Sequence, residues 1–355
     1  MNEFNIESYN YHLPEERIAQ HPAARRAESR LLQVGADDNG SMIDGVFSRL
    51  PKLLRPDDLL VINDTRVFPA RLLGRKETGG RIELLLLEYP VAEGGASALV
   101  PALARSSKRP RLGTKIKFGP ELTAEIVELK ERGAVVARLV WRGELSTVLE
   151  RYGRIPLPPY IHRPGSSDEE DRKRYQTVYA RERGAIAAPT AGLHFTPELL
   201  GSIQEMGVKI APVTLHVGYA TFAPVRVSDI REHEIHAEWV TVTRETVRAV
   251  ELARARGGRV WAVGTTSARA LEFAANGCGG VRPVAGEACR LYIYPGYKYQ
   301  VVDNMITNFH LPKSSLLFMV SAFAGRERLM AAYHEALRLG YRFYSYGDAM
   351  VLARR

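Results

Sequence analysis

Several short stretches carry residue types that could move a proton or hold a small polar ligand. The run Ala187-Ala188-Pro189-Thr190-Ala191-Gly192-Leu193-His194-Phe195 delivers one histidine beside one aromatic ring out of a chain of small residues. Small residues let backbone approach a ligand closely, and Gly192 opens a φ that other residues avoid. Thr196-Pro197-Glu198 then reads as a helix start, with Thr at the N-cap, Pro in the first turn and an acid after it. His194 and Phe195 are therefore expected just ahead of a helix N-terminus, whose partial positive charge suits an anionic or electron-rich ligand. An ordinary turn can also hold a lone histidine, so the surrounding elements must decide.

Those elements read as a layered fold. Arg30-Leu31-Leu32-Gln33-Val34 has the texture of a strand, and Leu59-Leu60-Val61-Ile62 that of a strand buried on both faces. The second ends in Asn63, Asp64, Thr65 and Arg66, and polar groups at the carboxyl ends of buried strands are where open α/β sheets bind ligands. Helices are expected over 12–20, 170–182, 197–206, 244–256, 264–275, 314–323 and 325–339. Further strands are expected over 209–217, 259–263, 291–294 and 343–346, and polar turns or mobile polar segments over 36–42 and 165–173. The turn Gly264-Thr265-Thr266-Ser267 between strand and helix could hold a carboxylate on backbone N–H groups.

Between residues 71 and 141 the texture changes to short β-rich runs (82–88, 99–104, 115–118, 122–129 and 134–140) split by Gly, Pro and Ser, which indicates a small barrel or sandwich. Ile155-Pro156-Leu157-Pro158-Pro159-Tyr160 then returns the chain stiffly to the α/β pattern. The expected architecture is an α/β (α+β mixed layers) main domain formed by 1–70 and 155–355, with an inserted small all-β barrel domain over 71–154. One loop of that barrel, residues 105–117, carries six basic side chains and no acid, among them Arg105, Lys108, Arg109 and Arg111; it could track a phosphate backbone.

The 355 residues carry a net charge of +9, which favours an anionic partner such as nucleic acid. Cys278 and Cys289 are too few for a disulfide scaffold and fit no zinc spacing. The N-terminal twenty residues lack a basic-then-apolar leader pattern, and no apolar run approaches the roughly 18 residues that span a bilayer. The expected protein is soluble, cytoplasmic and monomeric. Walker, GxGxxG, HExxH and GxSxG patterns are absent from the sequence. His233-Glu234-Ile235-His236 invites a metal reading, but no further ligands stand nearby in sequence, and no metal is expected.

The blocks Asn63-Asp64-Thr65-Arg66-Val67-Phe68-Pro69-Ala70-Arg71-Leu72, Pro156 to Ile161, Arg174-Tyr175-Gln176-Thr177-Val178-Tyr179, 187–195, Leu215-His216-Val217-Gly218, 233–238, Gly264-Thr265-Thr266 and Thr307-Asn308-Phe309-His310-Leu311-Pro312 run in order nearly end to end. Together they resemble the S-adenosylmethionine:tRNA ribosyltransferase-isomerases of queuosine biosynthesis. Ala220 and Ala27 depart from the family pattern, the first standing where Gly is expected and the second where an acid is usual.

That resemblance implies a transferase and isomerase acting in tRNA modification. It would move the ribosyl part of S-adenosylmethionine onto 7-aminomethyl-7-deazaguanine at the tRNA wobble position, giving epoxyqueuosine-tRNA and releasing adenine and methionine. S-adenosylmethionine enters as donor substrate, and no other cofactor is implied. His194 and His216 become candidate acid/base groups, with Asp64 as base, histidine orienter or ribose ligand. Phe195 could stack adenine, Thr190 and Gly192 could close around the ligand, and Asn308 with His310 could form a second polar wall. Asn63 and Thr265 join the substrate contacts, and Arg66 and Arg71 could meet the methionine carboxylate or a tRNA phosphate. Arg172, Lys173 and Arg174 would add a second tRNA patch, with Tyr160 and Tyr175 as stacking platforms. Two other classes remain possible: a non-catalytic RNA-binding protein, and an S-adenosylmethionine-dependent RNA methyltransferase.

Overall fold

The computed structural model describes residues 2–35, 41–163, 168–219 and 224–354. Ala220 and most of the polar turn expected over 36–42 lie outside the described residues, as do residues 165–167 of the polar segment. In chain order the strands are β1 (Arg30–Val34), β2 (Met42–Val46), β3 (Leu59–Asn63), β4 (Thr65–Val67), β5 (Arg71–Lys76), β6 (Arg81–Leu86), β7 (Ser97–Arg105), β8 (Lys115–Lys117), β9 (Leu122–Leu129) and β10 (Ala134–Trp141). Helix α1 (Leu145–Tyr152), β11 (Gly153–Arg154), α2 (Asp168–Arg174) and β12 (Glu182–Ala185) follow, then α3 (Pro197–Glu205), β13 (Lys209–Leu215), β14 (Glu238–Val242) and α4 (Arg244–Ala255). β15 (Val260–Val263), α5 (Gly264–Phe273), β16 (Val284–Cys289), β17 (Asn304–Asn308), α6 (Ser315–Ala324), α7 (Arg326–Arg338) and β18 (Ala349–Ala353) complete the order.

Nine strands form the main sheet in the order β16-β14-β13-β3-β15-β17-β18-β1-β2. Its centre, β13-β3-β15-β17, is parallel, while β18 runs antiparallel to β17 and is parallel to β1. The carboxyl ends of the four central strands therefore share one edge with the amino ends of β18 and β1. Strand periodicity sends alternate side chains to opposite layers. Leu59 and Val61 join the core beneath α4 to α7, whereas Leu60 and Ile62 join the core beneath α3. Burial on both faces is what the continuous apolar run of β3 requires.

The second sheet, β11-β5-β6-β7-β10-β9-β8, closes through β5–β8 pairing into a six-stranded antiparallel barrel with β11 appended. Alternate residues such as Leu84, Leu86, Val100, Ala102, Ile126 and Leu139 fill its interior, and Val148 and Leu149 of α1 pack against that filling. All its strands fall between residues 71 and 154.

Four local expectations give way to tertiary pairing. The helix expected over 12–20 is one 3-10 turn, Glu15–Arg17, because the backbone of Arg17 and Ala19 bonds to Phe343 instead. The helix expected over 170–182 stops at Arg174; the Gln176 carboxamide then bonds both backbone groups of Val67, and after a turn closed by Ala180 N on Thr177 O the chain enters β12 beside β4. The strand expected over 291–294 is displaced to β16, and the one expected over 343–346 to β18, with Tyr344 at φ 75° in the intervening turn.

The opposite, amino edge of the sheet is pinned by Asp58, which is 1% exposed and accepts from Arg55 N, Arg259 N and Nη2, and Trp261 Nε1 at 2.6–3.0 Å. Burial works to raise its pKa, but the Arg259 and backbone hydrogen bonds outweigh it and hold the carboxyl below the usual range. Asp58→Ala leaves Arg259 unpaired at that edge and is expected to cost roughly 3–5 kcal/mol in stability, read from denaturant midpoints, without altering the far edge.

Candidate active site

At the carboxyl end of β3 the Asn63 side chain takes over the work of the ladder. Its Nδ2 donates to Leu215 O at 2.9 Å, and its Oδ1 accepts from Leu215 N at 3.0 Å and Thr65 N at 3.2 Å. Asn63 is fully buried, so this expected substrate contact is corrected: the amide is spent on backbone. It turns the chain so that Asp64 and Thr65 face the end of β13. Thr214 Oγ1 donates to Asp64 Oδ1 at 2.6 Å, and the Arg181 guanidinium lies 3.0 Å from Oδ2. Burial raises the Asp64 pKa, with Thr214 and Arg181 opposing and Glu182 assisting. His216 Nδ1 meets Thr65 Oγ1 at 2.8 Å, leaving Nε2 without a hydrogen-bond partner among the described residues. Burial pushes the His216 pKa down, partly offset by Glu182.

Two strands along, at the end of β17, a second polar group forms around His194. Asn308 Nδ2 lies 3.1 Å from Tyr344 O, which identifies it as the donor end of the amide. It therefore donates to His194 Nε2 at 3.3 Å, so the imidazole carries its proton on Nδ1 and donates to Ser29 Oγ at 2.6 Å; Ser29 in turn donates to Arg26 O at 3.0 Å. Both ring nitrogens are engaged. Burial, with the Arg342 and Arg26 charges adding, pushes the His194 pKa down to about 3. Ser29 was missed from sequence; only its place at the mouth of β1 could have marked it.

The segment from β12 to α3 crosses the edge between these groups. Gly192 allows this, though by space and not by φ: a Cβ there would lie 2.1 Å from Tyr179 Oη and 2.8 Å from Thr177 Cγ2. Gly264 does need its left-handed φ of +87°, which lets β15 pass directly into α5 and places Thr265, buried, in the first turn. Thr177 Oγ1, Tyr179 Oη, Thr266 Oγ1 and Asn308 Oδ1 are buried without hydrogen-bond partners among the described residues. Both the Arg26 and the Asp64 charges act on the Tyr179 hydroxyl. Buried polar atoms normally find partners, and the concentration of orphans along this edge marks a seat for a polar ligand. Thr177 and Tyr179 were missed because their stretch was expected to be helical; the Thr-Val-Tyr alternation was the available signal.

Other expectations are corrected by packing. Phe195 is fully buried, its ring 5.0 Å from Phe47 and 6.4 Å from Tyr179, with no open face for adenine. His310 lies in the aromatic core, near Thr307 Oγ1 at 3.3 Å and Tyr333 Oη at 3.4 Å, with burial pushing its pKa to about 3. Tyr175 is fully buried, and the Tyr160 ring packs tilted against Tyr344 with centroids 4.0 Å apart. Thr190 is half-buried in the 3-10 turn Thr190–His194.

Of the basic residues, Arg71 pairs with Glu83 at 2.8 Å on the barrel wall. Arg172 bonds Glu150 and Gly153 O, and Arg174 turns inward onto Ala23 O and Ala24 O, whereas Lys173 is exposed. Arg66 is exposed beside Thr65, opposite exposed Arg183 in the β4–β12 ladder. Arg105, Lys108, Arg109 and Arg111 are exposed at the barrel end remote from the β5–β11 junction. A larger concavity of about 540 Å³ opens at the amino edge of the sheet among Arg254, Arg259, Asp303 and Arg354, but its acid is already committed to Arg254 and Val260 N. No group of three or more His, Cys, Asp or Glu placed to hold a metal occurs among the described residues, and His233 packs edge-on against Tyr292.

Comparison with known proteins gives a consistent picture. A family model described as "Queuosine biosynthesis protein" matches residues 6–352. An S-adenosylmethionine:tRNA ribosyltransferase-isomerase from Nitratidesulfovibrio vulgaris is 51% identical over 99% of this chain and 98% of its own length, and one from Desulfotalea psychrophila is 48% identical over 98% and 97%. The crystal structure of an S-adenosylmethionine tRNA ribosyltransferase from Thermotoga maritima, 33% identical, superposes with a TM-score of 0.52 over 97% of this chain and 99% of that one.

The neutral histidines make stability depend on pH. The unfolded chain protonates each imidazole near 6.5, whereas folded His194 and His310 do so only near 3. Between those values the unfolded state binds more protons, so stability falls as pH falls, by at most about 1.4 kcal/mol per pH unit for each histidine. Urea midpoints from pH 7 to pH 4 should decline more steeply for the wild-type chain than for His194→Gln. Parallel declines would show that the His194 imidazole is not held neutral.

Proposed function

The chain belongs to the queuosine biosynthesis protein family, and from that premise we propose that the carboxyl edge of its parallel strands is the active site of an S-adenosylmethionine:tRNA ribosyltransferase-isomerase. The enzyme moves the ribosyl part of S-adenosylmethionine onto the 7-aminomethyl-7-deazaguanine at the tRNA wobble position and isomerises it, giving epoxyqueuosine-tRNA with release of adenine and methionine. The observation that carries the site assignment is the row of buried, unpartnered hydroxyl and amide groups between His216 and His194.

The reaction begins with removal of a proton from the ribose 5′-carbon, made acidic by the adjacent sulfonium. His216 is the base: its Nε2 is free among the described residues, whereas both ring nitrogens of His194 are engaged. General-base catalysis favours a pKa near the working pH, which disfavours His194 at about 3 with both nitrogens engaged. His194 instead holds Asn308 in place. Adenine departs with a proton from a donor on the edge, where the Tyr179 and Thr266 hydroxyls lie. The aminomethyl nitrogen then attacks, Asp64 with its raised pKa takes the proton it sheds, and methionine leaves as the epoxide closes.

A wobble base must be unstacked to reach this edge. Arg66 and Arg183 sit at its rim, and residues 71–154 act as an RNA-facing domain through Arg105, Lys108, Arg109 and Arg111, with Lys173 adding charge nearer the site. Phosphate contacts supply the affinity and fix the register.

Chromatography of a mixture with S-adenosylmethionine and aminomethyl-deazaguanine tRNA should show adenine, absent when the tRNA lacks that base. S-adenosylhomocysteine would instead indicate a methyltransferase, and intact donor beside tight tRNA binding a non-catalytic RNA-binding protein. His216→Ala should lower turnover about 10²–10⁴-fold; unchanged turnover removes it from the chemistry. Replacing Lys108, Arg109 and Arg111 by Gln should weaken tRNA binding and flatten its salt dependence by about 0.7 in log–log slope per lost contact. An unaltered slope would leave the loop merely solvated.

A further inference from the structure

Beside His194, at the β1 end of the edge, lies a narrow polar cleft of about 20 Å³ lined by Arg26, Ser29, Arg174, His194, Tyr346 and Gly347 among others. Its two guanidiniums are half-buried, and neither has a carboxylate within ion-pair distance among the described residues. Backbone carbonyls orient them: Arg26 donates to Leu193 O at 3.0 Å and Lys173 O at 2.9 Å, and Arg174 to Ala24 O at 3.1 Å and to Ala23 O. Carbonyls satisfy donors but cancel no charge. Arg174 Nε is buried with no hydrogen-bond partner among the described residues. Burial and the neighbouring Arg174 both oppose the charged form of Arg26, yet a guanidinium stays protonated in proteins. Arg342, the other cation acting on His194, is by contrast matched by Asp348 at 3.3 Å.

Two adjacent, oriented, uncompensated guanidiniums around a small opening call for a small anion. We propose that this cleft seats the carboxylate of the methionyl arm of S-adenosylmethionine, an inference that rests on the function proposed above. The size of the opening decides between the anions on offer. A carboxylate is a terminal group and can enter a cleft this narrow, whereas a phosphodiester brings a ribose on either side. A carboxylate held here sends the methionyl arm along the edge past His194 and Asn308, so that the sulfonium and the 5′-carbon bonded to it lie toward His216. The adenine then turns over Tyr179 and Thr266. Arg174 thereby changes role, from the tRNA patch suggested by its neighbours in sequence to a donor-substrate contact.

The experiment compares S-adenosylmethionine with its decarboxylated analogue, which keeps the sulfonium and lacks the carboxylate. Adenine release is measured with modified tRNA. The wild-type enzyme should prefer the intact donor by about ten- to hundredfold in kcat/KM, the worth of a charge-assisted hydrogen-bonded contact. In Arg26→Gln and Arg174→Gln that preference should collapse toward unity, chiefly through KM for the intact donor, with KM for tRNA unchanged. Residual turnover of the decarboxylated donor reports that each variant is folded. If the Gln variants do not fold, Arg26→Lys and Arg174→Lys carry the test, with an expected preference between wild type and unity. A preference that survives these substitutions overturns the proposal, as does a rise in KM for tRNA alone, which would make the anion a phosphate. A wild-type chain that releases no adenine from either donor would instead refute the functional reading itself.

Discussion

The whole site depends on one side chain imitating a piece of backbone. Between β3 and β13 the regular ladder runs from Leu59–Lys209 to Asn63–Val213. There the Asn63 carboxamide takes over, pairing with both backbone groups of Leu215 and with Thr65 N. A main-chain continuation would carry β3 onward beside β13 and keep its next residues in the sheet. The carboxamide bonds ahead while the chain itself turns away, so β4 can leave and pair with β12. Asp64 and Thr65 are thus aimed at Thr214 and His216. Leaving such a buried amide half-satisfied costs on the order of 1–3 kcal/mol per group, which keeps the arrangement single-valued.

From that branch point the segment over 182–195 is free to cross the edge from His216 to His194. It brings a low-dielectric lid over a buried His194 whose pKa burial pushes down to about 3, and over an Asp64 carboxyl whose pKa burial raises. Such surroundings strengthen every interaction with a charged substrate. On the proposed placement, a sulfonium at this edge meets a neutral His194 instead of an imidazolium, and its carboxylate meets the Arg26 and Arg174 guanidiniums. The polar atoms without partners among the described residues are the counterpart of that dryness; on the proposed placement the donor supplies their partners.

Much of the frame was legible in the sequence, for physical reasons. β1, β3, β13 and β15 are short apolar runs between turn residues, and the barrel strands alternate cleanly because one face fills the barrel and the other meets solvent. Helices α3, α4 and α6 start on capping Thr196, Thr243 and Ser314, and α7 buries one face along its length. What escaped were segments whose hydrogen bonds go to distant partners: 17–19 bonds to Phe343, and 176 bonds to Val67. The edge itself was recognisable from Asp64, His194, His216 and Asn308, but a sequence does not say which polar residue is already spent. Asn63 is consumed by Leu215, His310 by the aromatic core and Phe195 by Phe47, whereas Tyr179, Thr177 and Arg26 reach the edge only through the tertiary fold.

The most direct test of the account is the position of bound donor. A crystal structure with an S-adenosylmethionine analogue carrying carbon in place of the sulfonium should show it lying along the carboxyl edge, its reacting 5′-carbon within reach of His216 Nε2 and its adenine near Tyr179 and Thr266. Analogue bound instead in the wide concavity at the amino edge, among Arg254, Arg259 and Arg354, would contradict the placement of the chemistry.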